Sequence, residues 1–150
     1  KFGLNPYEVS NYSRKNHESI HNKIYWNYGD YLGVGPGAHG RITTQKGRFA
    51  TQNHYSPIKW QKNALNNAGE SIRTLINGKD QADEMAMMGL RLNSGFSKER
   101  YFRLSGKKLN EKTLTFLISD NLITVENNFI KATAQGRVVL NSLILNILSD

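Results

Sequence analysis

The strongest constraint on the fold is the spacing of apolar residues in the C-terminal third of the chain. They recur at helical intervals from Asn110 to about Ser119, and again after the capping residue Thr133. Two strand-like segments, 122–125 and 129–132, lie between these stripes and flank a turn. A helix, a two-stranded wing and a second helix together predict a winged-helix-like unit.

Winged helices often bind DNA, and this possibility has to be weighed. A recognition helix needs polar or basic side chains that reach base edges, with basic contacts to phosphate around them. The helix before the wing has only Asn110 and Lys112 of this kind. The final helix contributes Gln135, Arg137, Asn141 and Asn146. We therefore expect a structural or partner-docking unit, with no nucleic-acid partner.

Residues 56–150 are predicted to form one mostly helical domain, because capping residues mark three more helices upstream of the wing. Ser56 is an N-cap followed by proline, Asp80 opens a second helix, and Ser97 caps a third.

In contrast to the helical segment 56–150, the sequence of residues 1–55 predicts short strands. Alternating side chains favour strands at 7–12 and 31–34, and residues 41–44 and 48–51 flank a glycine-containing turn as a β-hairpin. The fold class is therefore α+β.

The composition excludes several kinds of site. Without cysteine, no disulfide, thiolate zinc cage or iron–sulfur cluster can form within these 150 residues. The longest apolar run is four residues, far below the roughly 18 of a membrane span, and no basic stretch leads into an apolar one as in a secretory signal. We expect a cytoplasmic protein.

The net charge of +8, concentrated in residues 1–79, either favours an anionic ligand or reflects solubility.

The segment 17–41 holds three of the four histidines and two motifs with possible chemistry. His17-Glu-Ser-Ile-His21 fits H-E-x-x-H, in which two histidines on one helical turn bind zinc and the glutamate activates water. The motif requires a helix, whereas residues 13–16 have the composition of a solvated loop. A zinc hydrolase is therefore a less favoured interpretation.

The second motif, residues 35–40, fits G-x-G-x-x-G. A dinucleotide fingerprint must open a helix and meet an acidic residue about 20 positions later, but residues 41–44 are strand-like and position 60 is tryptophan. The glycines either let the backbone approach a ligand and present amides to an anionic group, or form a tight turn.

Three stretches together resemble a known family: residues 7–12 (YEVSNY), 17–26 (HESIHNKIYW) and 29–40 (GDYLGVGPGAHG). They are similar to the radical-SAM coproporphyrinogen III oxidase-like family (HemN/HemW), and most similar to its heme chaperone branch, HemW. The similarity continues through residues 84–92 and 133–136, so it covers almost the whole chain.

In that branch the His-Asn-x-x-Tyr-Trp element, here His21, Asn22, Tyr25 and Trp26, is associated with heme binding. The resemblance therefore implies heme or another tetrapyrrole as ligand, a heme-acceptor protein as partner, and transfer to that acceptor as function. His21 would be the axial ligand of the heme iron, with His17 as its rival, while the aromatic rings offer apolar faces. The candidate partners of the heme propionates are Arg14, Lys15 and Lys23.

The resemblance also implies the large-scale arrangement. Residues 1–55 would finish a partial (β/α) barrel, and residues 56–150 would be the helical, winged-helix-like C-terminal domain. The residues implied to line the barrel mouth near S-adenosylmethionine are Gly33, Gly35, Gly37 and Ala38.

One part of the family pattern is missing: the C-x-x-x-C-x-x-C loop that holds a four-iron cluster has no counterpart here. We therefore expect a C-terminal fragment that is inactive alone, with the cluster and S-adenosylmethionine bound only by the full-length protein.

The first alternative function is that of an oxygen-independent coproporphyrinogen III oxidase, which decarboxylates propionates oxidatively in heme biosynthesis. The second is the zinc hydrolase. The expected cytoplasmic location includes peripheral contact with a membrane during heme delivery.

Overall fold

The computed structural model describes residues 3–149, which form two compact units. The first unit contains the described residues up to Tyr28 and from Gly78 onward, and the second is Gly29–Asn77. The predicted domain boundary between residues 55 and 56 falls inside the second unit, and it stays a prediction.

Short helices and small antiparallel sheets alternate along the described residues, which confirms the predicted mixture of α and β structure. No helix in this part of the chain is long and apolar enough to cross a bilayer. In chain order the elements are β1 (Asn5–Pro6), β2 (Tyr12–Ser13), α1 (Ile20–Trp26), β3 (His39–Thr44), β4 (Gly47–Asn53), α2 (Pro57–Ala64), β5 (Glu70–Leu75), α3 (Gly78–Gly89), β6 (Phe96–Ser97), α4 (Lys98–Ser105), α5 (Glu111–Ser119), β7 (Ile123–Glu126), β8 (Phe129–Ala132), α6 (Ala134–Val138) and α7 (Leu140–Leu148).

The main hydrophobic core lies in the first unit. Helices α3, α5 and α7 bury their apolar faces together with the sheet β6–β8–β7, whose central strand β8 carries the fully buried Ile130. The helix, the wing and the final helix occur where the apolar spacing predicted them. The final helix differs because it is broken at Val139. Gly136 explains the tight packing of the first piece, since a Cβ there would collide with the Leu122 carbonyl oxygen.

The strand predicted at residues 7–12 is wrong. β1 and β2 form a small antiparallel pair, and a turn joins them. Glu8, only 1% exposed, organises this turn by accepting hydrogen bonds from the Ser10 hydroxyl (3.1 Å) and from the side-chain amide of Asn11. These local side-chain bonds override the alternating pattern. The strand predicted at 31–34 is also wrong, because only Tyr31 pairs, as an isolated bridge to Arg41.

The second unit is a three-stranded antiparallel sheet, β3–β4–β5, with α2 between β4 and β5. The β3–β4 hairpin and the Ser56 cap of α2 are confirmed. A buried guanidinium ties the chain before the hairpin to the sheet: Arg48 Nη1 donates to Asp30 Oδ1 (2.6 Å), and Nη2 donates to the Gly29 carbonyl (2.8 Å). Asp30 also accepts from the Thr43 amide (2.7 Å), so one carboxylate joins a loop to two strands.

Replacing Leu143 on α7 should destabilise the first unit strongly. Its side chain is 1% exposed, so Leu143→Ala leaves a cavity and should lower the free energy of unfolding by about 2 to 5 kcal/mol. Leu145→Ala on the same helix is the matched control, because Leu145 is 71% exposed and its loss should change stability by less than about 0.5 kcal/mol. Equal effects in urea unfolding would contradict the assigned core face of α7.

The Asp30 carboxylate should make the second unit sensitive to acid. Burial alone would raise the pKa of Asp30, but hydrogen bonds from Thr43 and the charge of Arg48 lower it below its usual value. The ionised group therefore stabilises the fold above a pH of about 4, and this contribution is lost as the pH falls through the lowered pKa.

Accordingly, Asp30→Asn should lower the free energy of unfolding at pH 7 by about 1 kcal/mol, a value kept small because the carboxylate is partly exposed. The difference from the unchanged protein should shrink in urea unfolding as the pH falls through the lowered pKa of Asp30.

Candidate functional site

The candidate ligand-binding histidine lies on α1, a short helix that the sequence analysis did not assign. The Ser19 hydroxyl caps it by accepting from the Asn22 amide (3.3 Å), and Asn27 ends it. The available signals were this serine and the pairs Ile20/Ile24 and His21/Tyr25, each one helical turn apart. Seven residues are too few for the apolar period to stand out.

The H-E-x-x-H spacing does not produce the arrangement that zinc chemistry needs. Because α1 begins at Ile20, His17 and Glu18 lie in the preceding turn, where the His17 amide donates to the Arg14 carbonyl (3.0 Å). The pKa of Glu18 is lowered, first by its own backbone amide and then by Lys23, whose ammonium lies 3.7 Å away. Among residues 3–149 no three His, Asp or Glu side chains converge as a metal site.

Helical geometry divides the His-Asn-x-x-Tyr-Trp element between two faces of α1. Successive residues are about 100° apart, so His21 and Tyr25 share one face, and Asn22 and Trp26 share another that lies about 100° further around the helix. The side-chain amide of Asn22 donates to the Tyr7 hydroxyl (3.2 Å), and the Arg91 guanidinium lies 5.6 Å from the centre of the Trp26 ring. The second pair therefore faces the body of the first unit.

The His21 imidazole is exposed and positioned by an aromatic neighbour. Its ring centre lies 5.0 Å from that of Tyr25, with the planes at 61°, an edge-on contact. Within the described part of the chain, neither nitrogen of the His21 ring takes part in a hydrogen bond or ion pair. A ring nitrogen is thus free to coordinate a metal centre brought by a ligand.

The predicted propionate partners are not all beside His21. Lys15 and Lys23 line a cleft of about 370 Å³, together with the β1–β2 hairpin and the segment 92–94. Lys23 follows His21 by two positions, which is about 200° around the helix, and it is paired with Glu18. Arg14 is exposed in the loop before α1. The structure therefore places Lys23 on the far side of α1 from His21.

The glycine-rich loop lies in the second unit, where its polar groups are mostly used internally. The Asn53 side-chain amide donates to the carbonyls of Gly33 and Gly35 (3.0 Å each). The Gly37 amide donates to His54 (2.9 Å), and the Ala38 amide donates to Gly35 (3.3 Å). These two amides are therefore used internally, which favours the tight turn over an anion-binding loop. Contact of Gly33, Gly35, Gly37 and Ala38 with S-adenosylmethionine stays a prediction.

Two of these glycines are required by φ angles in the left-handed region: Gly35 at +105° and Gly37 at +67°. Gly33 and Gly40 are required by space. A Cβ on Gly33 would lie 2.7 Å from the His39 carbonyl group, and one on Gly40 would lie 2.5 Å from the Thr51 hydroxyl. The spacing of the glycines thus reflects a closely packed turn against β3 and β4.

Comparisons with known proteins agree with one family. Residues 76–139 match the HemN C-terminal domain. The mitochondrial radical S-adenosyl methionine domain-containing protein 1 of Bos taurus is 32% identical over 98% of this chain and 36% of its own length. The heme chaperone HemW of Bacillus subtilis (strain 168) is 31% identical over 94% of this chain and 37% of its own length.

The fold is also similar to a solved structure, that of coproporphyrinogen III oxidase (HemN) from Escherichia coli, described as a radical SAM enzyme. The TM-score is 0.66 at 17% identity, over 97% of this chain and 37% of the other. At this identity the match supports the fold alone. The chain spans little more than a third of the length of the curated relatives it matches.

The packing at Gly33 gives a test of this loop. Gly33→Ala should lower the free energy of unfolding of the second unit by about 2 kcal/mol or more, because the methyl group meets backbone atoms of His39 that cannot turn aside. Gly69→Ala is the control in the same unit, since its nearest neighbours are 3.3 Å away on side chains. Urea unfolding that ranked the two variants equally would contradict the close approach.

Proposed function

Because the chain belongs to the HemN- and HemW-like family of radical SAM homologues, we propose that it is the part of a heme chaperone that binds heme through α1 and passes it to an acceptor protein. The observation that carries this proposal is the His21 imidazole, which is exposed, oriented by Tyr25 and free of hydrogen bonds within residues 3–149. Imidazole is a common ligand of heme iron.

The residues around His21 fit a tetrapyrrole. Exposed aliphatic side chains, Ile20 and Ile24, stand next to the imidazole on α1, and Tyr25 adds an aromatic edge. A flat apolar ring can cover such side chains while its iron binds a nitrogen of the His21 imidazole. The iron would supply the coordination bond, and the chain would supply the nitrogen and the apolar contacts. His17 is less suited, because it lies in the turn before the helix.

The remaining cofactors of the family are proposed for the full-length protein only. This chain has no cysteine, so it provides no thiolate for a four-iron cluster. The glycine-rich loop contributes no free amide at Gly37 or Ala38 to S-adenosylmethionine, although its backbone packs closely enough to border a ligand. No step of the proposed heme transfer depends on either group.

The alternative within the family is an oxygen-independent coproporphyrinogen III oxidase. It is supported by the likeness of the fold to HemN, whereas the identity of about a third to relatives that include HemW supports the chaperone. Assaying the full-length protein for decarboxylation of coproporphyrinogen III separates the two. Sustained turnover would reject the chaperone proposal, and binding of heme without turnover would support it.

Titration of the full-length protein with hemin tests the ligand. A shift of the Soret band should accompany binding, and His21→Ala should raise the dissociation constant about tenfold or more, because the iron would lose the imidazole ligand. His17→Ala is the matched control and should bind like the unchanged protein. If His21→Ala left both the spectrum and the affinity unchanged, His21 would be removed from the proposal.

A further inference from the structure

We infer that the tetrapyrrole lies on a surface formed by Ile20, His21, Ile24 and Tyr25, which we call the outer face of α1, and that Asn22 and Trp26 are positioning residues that do not touch it. The inference rests on the proposed function. It adds two isoleucines that lie outside the His-Asn-x-x-Tyr-Trp element, and it assigns two members of that element to a different task.

The outer face has the composition of a site for a flat apolar ligand. Ile20 is 77% exposed and Ile24 is 40% exposed, although both are large apolar side chains on an ordered helix. They are one helical turn apart, so they form a continuous strip directly beside the imidazole. Covering an exposed aliphatic side chain with an apolar ring is favourable, roughly in proportion to the area removed from water.

The face of the helix that carries Asn22 and Trp26 is held by contacts to three other parts of the first unit. The Asn22 side chain bonds the Tyr7 hydroxyl in the N-terminal hairpin. The Trp26 ring packs against Arg91, which is itself fixed by donating to the Met87 carbonyl (2.6 Å). At the end of the helix, Arg100 on α4 donates to the Asn27 carbonyl (2.9 Å).

These contacts determine how the outer face is presented. The cavity that Trp26 lines together with Met85 and Phe96 is about 210 Å³, below the roughly 300 Å³ at which small-molecule pockets begin. A tetrapyrrole bound on that side would therefore have to break the contacts of Asn22 or Trp26, whereas one on the outer face leaves them intact. The geometry therefore favours a tetrapyrrole that is held from one side. Such a ligand remains reachable by a second protein, as a transfer step requires.

Hemin titration of the full-length protein tests the outer face through its isoleucines. Ile20→Gln and Ile24→Gln keep good helix formers but remove the apolar strip, and each should raise the hemin dissociation constant roughly tenfold, with the Soret maximum unchanged because His21 still binds the iron. The matched control is Ile58→Gln, since Ile58 is 81% exposed on α2 and should not affect binding.

The positioning role is tested by deleting one hydrogen bond from both ends. Asn22→Ala and Tyr7→Phe should weaken hemin binding by similar factors, and the double variant should be no weaker than the worse single variant, since all three lack the same bond. If the bond only stabilised the fold, the variants would unfold at lower urea concentrations, but the folded variants would bind hemin with unchanged affinity. That result would overturn the positioning role of Asn22.

The outcomes separate this inference from the proposed function. If the unchanged protein shows no Soret shift with hemin, the proposed function fails. If it shows the shift and loses it in His21→Ala, while Ile20→Gln and Ile24→Gln bind like Ile58→Gln, the function stands and the outer face is overturned. If the two isoleucine variants change oligomeric state or unfolding midpoint without changing hemin affinity, a protein segment covers this face, and the inference is again overturned.

Discussion

The candidate site depends on the anchoring of one very short helix. A helix of seven residues is not stable by itself in water, because its nucleation cost is spread over too few hydrogen bonds. α1 persists because the chain immediately after it is fixed in the core. Tyr28 is buried with a left-handed φ of 57°, its hydroxyl donates to Glu84 (2.8 Å), and Arg100 lies over its ring. Such a backbone conformation is retained only where surrounding contacts hold it.

The same anchoring explains why an exposed imidazole can have a defined direction. The side of α1 that carries Asn22 and Trp26 is occupied, so the side that carries His21 faces solvent. Tyr25 contacts one side of the imidazole ring. The helix therefore offers a nitrogen whose position is set by the core, without enclosing it. This arrangement suits the release step of the proposed heme transfer.

Local signals in the sequence were sufficient for elements that local chemistry determines. The caps Ser56 and Ser97 each accept a hydrogen bond from an amide of the first turn, and α2 and α4 begin where those residues predicted. The apolar spacing likewise predicted α5, which Asn110 caps. Two elements that depend on tertiary contacts, β5 and α1, were not predicted from the sequence. β5 is an edge strand whose side chains are almost all exposed, so it has no alternating pattern, and α1 is too short for a period. The motif identified the candidate residues, but their division between two faces required the helix.

The order of the two units along the chain has a consequence for biosynthesis. The second unit is inserted within the first, so partners that hold the first unit together are far apart in sequence: Tyr28 bonds Glu84 across 56 residues, and Asn93 bonds Pro6 across 87. Contacts of this range form slowly, because a long loop must close first. During translation α1 emerges well before Arg91 and Arg100, so it remains unanchored on the ribosome until the later helices have been made. Nascent chains would therefore hold α1 in its folded orientation only after residues 91–100 have been made.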